Sequence, residues 1–191
     1  MNNLPLTGSQ TVGPFFGPAL LRPDAERHVL VTPETLGERI RIQGRVLDGD
    51  GLGVPDAMVE IWQANAAGRY NHPADQRDLP LDPSFLGFGR SGTDAEGVYW
   101  FDTIKPGAVP FDGSRWQAPH LCVAVFSRGL LNHLFTRLYF ADEDGNADDP
   151  VLACVPAARR ETLLARPVTG AAAYTFDIVL QGAGETAFFN L

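Results

Sequence analysis

At 191 residues, 45% of them apolar, the chain is long enough for a substantial core and has ordinary globular composition. A formal net charge of -8 argues against a nucleic-acid surface, which needs clustered Lys and Arg. No apolar run approaches the length that crosses a bilayer, and the opening Met1-Asn2-Asn3-Leu4-Pro5 has neither the basic nor the apolar region of a signal peptide. Nothing requires Cys122 and Cys154 to pair, so a reduced, cytoplasmic setting is expected.

In chain order, residues 1 to about 38 show no clear strand and are expected to form an N-terminal arm. Arg39 to Leu47 then alternates, with Ile40, Ile42, Gly44 and Val46 on one face and Arg41, Gln43 and Arg45 on the other. Asp48-Gly49-Asp50-Gly51 turns the chain. Met58 to Trp62 reads as the next strand, and Asn65 to Arg90, rich in proline and without a period, as a long loop. Thr93-Asp94-Ala95-Glu96-Gly97 turns into a strand at Val98 to Phe101. Leu121 to Phe126 is a nearly continuous apolar run, which suits a buried strand; Leu134 to Phe140 and Tyr174 to Leu180 alternate again. One short helix is expected near 156–165, with Pro156 at its start and Pro167 beyond its end. Trp62, Trp100 and Trp116 are expected to pack; His28, His72 and His133 have no evident partner and receive no role. The pattern is all-β: one β-sandwich domain, 1–191, of mixed and antiparallel strands with long loops.

Several segments carry more than periodicity. Gln10-Thr11-Val12-Gly13-Pro14-Phe15 stands near the start. Val54-Pro55-Asp56-Ala57-Met58-Val59-Glu60-Ile61-Trp62-Gln63-Ala64-Asn65 follows, then Gly68-Arg69-Tyr70, Lys105-Pro106-Gly107, Pro119-His120-Leu121-Cys122 and Thr136-Arg137-Leu138-Tyr139-Phe140. In this order and at these intervals they resemble the intradiol ring-cleavage dioxygenases over nearly the whole chain. The resemblance implies a non-haem Fe(III) held by two tyrosines and two histidines. The first tyrosine position is Tyr70, the second is Val109, and the His-x-His pair is His120 and Cys122. Two ligand positions are filled and two are not. Valine offers no lone pair, and a soft thiolate is a poor substitute for imidazole on hard ferric iron. Gln117 stands where catalytic relatives place an arginine, and Arg137 where they place a glutamine.

This pattern is similar to the iron-free, alpha-type subunit of two-subunit members, whose iron sits in a homologous beta subunit. The resemblance implies alpha-beta protomers in a larger oligomer, with protocatechuate and O2 meeting at the beta subunit's Fe(III). The ring would open between the two hydroxyl-bearing carbons to give 3-carboxy-cis,cis-muconate, in the β-ketoadipate route. This chain would bind no metal and carry no catalytic residue. Gly13 and Pro14 are then expected to form a turn that walls the partner's site, since glycine admits close approach and proline fixes its φ. Arg128 is expected to pair with the substrate carboxylate. Two alternatives stay open. One is a self-sufficient dioxygenase with a rebuilt site of Tyr70, His120 and Cys122, aided by Tyr99 or His72. The other is a non-enzymatic sandwich module that binds carbohydrate or another partner.

Overall fold

Strand β1, Arg39–Leu47, buries the face that its alternation marks: Ile40, Ile42, Gly44 and Val46 point inward while Arg39, Arg41, Gln43 and Arg45 point out. Its neighbours follow from the computed structural model, which describes residues 11–190. The remaining strands are β2 (Met58–Trp62), β3 (Phe88–Gly92), β4 (Val98–Ile104), β5 (Val109–Asp112), β6 (Arg115–Gln117), β7 (His120–Phe126), β8 (Leu134–Phe140), β9 (Leu164–Pro167), β10 (Ala173–Thr175) and β11 (Ile178–Val179). Antiparallel β3, β2, β7 and β8 form one layer. Antiparallel β4 and parallel β10 and β11 flank β1 in the other. Strand β9 joins the layers, parallel to β8 and antiparallel to β10. On the far side Trp100 N–H reaches Ser91 Oγ at 3.4 Å, so the mixed sheet nearly closes into a flattened barrel. Ile42, Ile61, Phe101, Leu121, Val123, Leu138 and Phe140 fill the space between the layers. Among the described residues no helix is long and apolar enough to cross a membrane.

The expected strand from Tyr174 to Leu180 is divided in two for a visible reason. A Cβ at Gly44 would lie 1.8 Å from the Phe176 carbonyl oxygen, which also accepts the Tyr99 hydroxyl at 2.6 Å. At the next residue Asp177 Oδ1 accepts the Arg45 N–H at 2.9 Å, so a side chain replaces the ladder and the chain kinks between β10 and β11.

Other expectations are corrected. The short helix is present as a 3-10 helix over Ala157–Leu163 behind Pro156, and 164–165 already belong to β9. Arg160 donates to the Val155 and Ala153 carbonyls, and burial of Leu163 feeds the chain into the sheet. A five-residue α-helix, α1 (Phe16–Leu20), stands in the arm, where no period marked it. The end of the expected 65–90 loop is β3. Glycine-rich and poor in strand formers, it is held by its ladder to β2, and Gly89 lies so flat that a Cβ would come within 2.9 Å of Phe101 and Ile61. Trp116 does not pack inside: it is 53% exposed on the β5–β6 hairpin, with Phe111 also exposed beside it. Gln10, the first residue of the opening motif, lies outside the described residues.

Candidate functional site

The four ligand positions of the resemblance are carried by the loop after β2, by the loop after β4 where it enters β5 at Val109, and by β7. Asn65, buried at the end of β2, organises the first loop. Its Oδ1 accepts the Ala67 and Arg69 N–H groups at 2.9 and 3.0 Å, and its Nδ2 donates to the Pro80 carbonyl at 2.9 Å. Its own carbonyl accepts Gly68 N–H and Gly107 N–H, both at 3.0 Å. Gly68, at φ +79°, then packs its backbone on the second loop, where a Cβ would stand 2.0 Å from the Ala108 oxygen. This close approach brings Tyr70 and Val109 to one concavity, shared with Trp62, His72 and Arg77. Trp62 stacks on Tyr70 with ring centroids 5.8 Å apart. Asp75 accepts the Tyr70 N–H at 2.8 Å while its other oxygen takes Arg77 Nε at 2.7 Å, and that guanidinium holds its carboxyl well below the usual carboxylate range.

Strand β7 supplies the other pair. His120 and Cys122, two apart, share the face opposite Leu121 and Val123. His120 is buried, with Nδ1 2.7 Å from the Ala118 carbonyl, so Nδ1 carries the proton and Nε2 is left as the acceptor. Burial, and then the Arg137 charge, lower its pKa to about 4. Burial raises the Cys122 thiol, against the pull of Arg137 and Tyr70 beside it. Burial also raises Tyr70 far above the ordinary tyrosine value, and Cys122 adds to this. At neutral pH the positions therefore hold a neutral phenol, a neutral imidazole, a thiol and an isopropyl group.

Next to them, β8 contributes Arg137, in register with Cys122, and Tyr139, in register with His120. Arg137 Nη1 donates to Gln117 Oε1 at 2.8 Å and to Tyr139 Oη at 3.2 Å. Tyr139 donates in turn to Asp149 Oδ1 at 3.2 Å. Asp149 is fully buried and also accepts the N–H groups of Ala118, Val151 and Leu152. Positions 117 and 137, two separate departures in the sequence, are thus one hydrogen-bonded pair. Ferric iron favours anionic oxygen donors, and this pocket offers a single phenol, with valine at the second tyrosine position, a soft thiol in place of an imidazole and a fixed cation besides, so the residues present do not fit it. Among the described residues no three His, Cys, Asp or Glu side chains gather as a metal-binding group. Tyr139, Asp149 and Asn65 were not singled out from the sequence. Arg137 and Tyr139, alternating in β8, carried a signal, and Asn65 closed the segment from Val54; Asp149 carried none.

The remaining residues fall elsewhere. Tyr99 lies in the core on β4, bonded to the Phe176 carbonyl, and takes no part in the pocket. His72 stands edge-on to Trp62, its Nδ1 accepting the Ala74 N–H at 3.1 Å. Gly13 accepts the Phe16 N–H at 3.0 Å in the turn that opens α1, and Pro14 is exposed. Arg128 is 74% exposed and pairs with Asp56 at 2.5 Å. Neighbours of both, Val12 and Phe16 on one side and Ser127 and Leu130 on the other, line a cavity of about 410 Å³.

The family model described as Dioxygenase matches residues 12–182. The beta chain of protocatechuate 3,4-dioxygenase from Burkholderia cepacia is 43% identical over 190 residues, covering 95% of this chain and 78% of that one. The alpha chain from the same organism is 42% identical, covering 100% of both. Among solved structures, the dioxygenase domain of a dioxygenase carbohydrate-binding protein fusion from Streptomyces sp. SirexAA-E aligns with a TM-score of 0.62 at 29% identity, over 92% of this chain and 97% of that one. The sequence motifs, the sheet and these relatives agree: the chain belongs to the intradiol ring-cleaving dioxygenase family.

Proposed function

We propose that this chain is the iron-free, alpha-type subunit of a protocatechuate-cleaving dioxygenase, paired with a homologous beta subunit that carries Fe(III). Together they cleave protocatechuate with O2 to 3-carboxy-cis,cis-muconate. Identity does not choose between alpha and beta, since 42% and 43% are equivalent. The donor set supports the alpha reading: Tyr70 and His120 remain, but Val109 is buried hydrocarbon and Cys122 a soft thiol. A chain so altered contributes walls and contacts rather than redox chemistry.

On this reading residues 1–191 act as one domain, with the first 38 or so as an arm toward the partner. Gly13 and Pro14 wall the partner's site. Arg128, exposed and held only at the surface by Asp56, turns its guanidinium to the substrate carboxylate. The free thiols of Cys122 and Cys154 fit a reducing cytoplasm.

Metal analysis of the chain alone, and co-expressed with a candidate beta subunit, tests this. The chain alone should bind no iron and lack the visible tyrosinate-to-iron absorption; the complex should hold about one iron per pair. Iron and colour in the isolated chain would replace the reading with a self-sufficient dioxygenase.

A further inference from the structure

Losing two ligands would itself weaken metal binding, and the pocket carries one more feature. The side of β7 that bears His120 and Cys122 faces a guanidinium. Register sets Arg137 opposite Cys122, and two hydrogen bonds on Nη1 pin it to Gln117 and Tyr139, both buried. Tyr139 is itself anchored on Asp149, whose carboxylate is fixed by three backbone N–H groups. The guanidinium is therefore held in place, and the buried carboxylate gains a cationic partner through the tyrosine. Its charge acts on Tyr70, His120 and Cys122 alike. That charge favours the deprotonated, metal-binding form of each donor, yet as a fixed cation within their reach it would repel a metal ion placed among them.

We propose that Arg137 keeps this pocket metal-free, its half-buried guanidinium taking the place and the charge of a cation among Tyr70, His120 and Cys122. The proposal rests on the iron-free reading above and makes it more specific. A trivalent ion brought to these donors would meet repulsion from a fixed charge that water does not fully screen. Arginine cannot escape by losing its proton, and moving it away would strip Gln117 and Tyr139 of their donor. Restoring the missing ligands is then insufficient: the charge must go as well. Glutamine at 137 removes it while keeping a side-chain amide donor.

The test compares iron content and visible absorption in three forms of the full chain, each checked for folding by its thermal melt. The unaltered chain should bind no iron; iron there would overturn the reading beneath the proposal, not merely the proposal. The pair Val109→Tyr and Cys122→His restores two phenols and two imidazoles, yet with Arg137 retained it should hold about a tenth of an iron per chain or less. Adding Arg137→Gln should raise this to about one and bring the tyrosinate-to-iron colour. Equal iron in the double and triple variants, or none in a folded triple, overturns the role of Arg137 and leaves the subunit reading intact. Should the triple fail to fold, Cys122→His is compared with and without Arg137→Gln, using Co2+ titrated by its visible bands. Binding should be at least about tenfold tighter without the arginine, and equal affinities overturn the proposal.

Discussion

His120 shows how a position can keep its donor geometry while its surroundings change purpose. The Ala118 carbonyl fixes the tautomer as a metal-ligating histidine requires, so Nε2 keeps its lone pair. Burial and the Arg137 charge then hold the ring neutral, with a pKa of about 4 against the usual 6.5. The folded value is the lower one, so the unfolded chain takes up the proton first as pH falls. Stability from this residue is complete above about pH 6.5, declines between 6.5 and 4, and levels off below 4. At about 1.4 kcal/mol per pKa unit the loss is about 3 kcal/mol. His120→Asn keeps a donor for the Ala118 carbonyl but does not titrate. Urea unfolding between pH 4 and 7 should show this decline in the parent and its absence in the variant; parallel curves would show that another group causes the acid sensitivity.

At the scale of elements, the loop from Asn65 to Tyr70 is a small frame built around one side chain. Replacing Asn65 by alanine removes three hydrogen bonds and leaves the Pro80 carbonyl and two N–H groups without their partner. The cost should be about 2–4 kcal/mol in urea unfolding, with Asn65→Asp in between because it keeps both acceptor bonds. A full loss in both variants would place the weight on the Pro80 contact alone. Asn65 also explains what the sequence could and could not reveal. Strands β1, β2, β7 and β8 were legible because alternation or a long apolar run writes burial directly into residue type. The expected positions 70 and 109, and 120 and 122, fall together because backbone packing at Gly68 and the period of β7 bring them there. Strand β3 was hidden because its pairing with β2, not its propensity, makes it a strand. The Gln117–Arg137 bond was hidden because register across two strands is a tertiary fact.

At the scale of the whole molecule, the proposed pairing gives the exposed features around one cavity a common place. Phe15 is 80% exposed beside Pro14, Leu131 is 64% exposed close to Arg128, and their segments meet at one cavity. Scattered exposed apolar residues are ordinary, but here two segments expected to meet the substrate converge. A guanidinium on a carboxylate, partly shielded by a partner, contributes about 1.5–3 kcal/mol, or roughly a ten- to hundredfold change in KM. In the co-expressed complex, Arg128→Ala should therefore raise KM for protocatechuate by that factor. Catechol lacks the carboxylate, so any turnover of it should keep its KM, and the iron content should not change. Pro14→Trp should raise KM for both, because it narrows the site by bulk and not by charge, again with iron retained. The two variants thereby separate recognition of the carboxylate from the shape of the wall. If Arg128→Ala changed neither value and the complex still assembled, the arginine would be a surface charge satisfied by Asp56, and carboxylate recognition would belong to the partner.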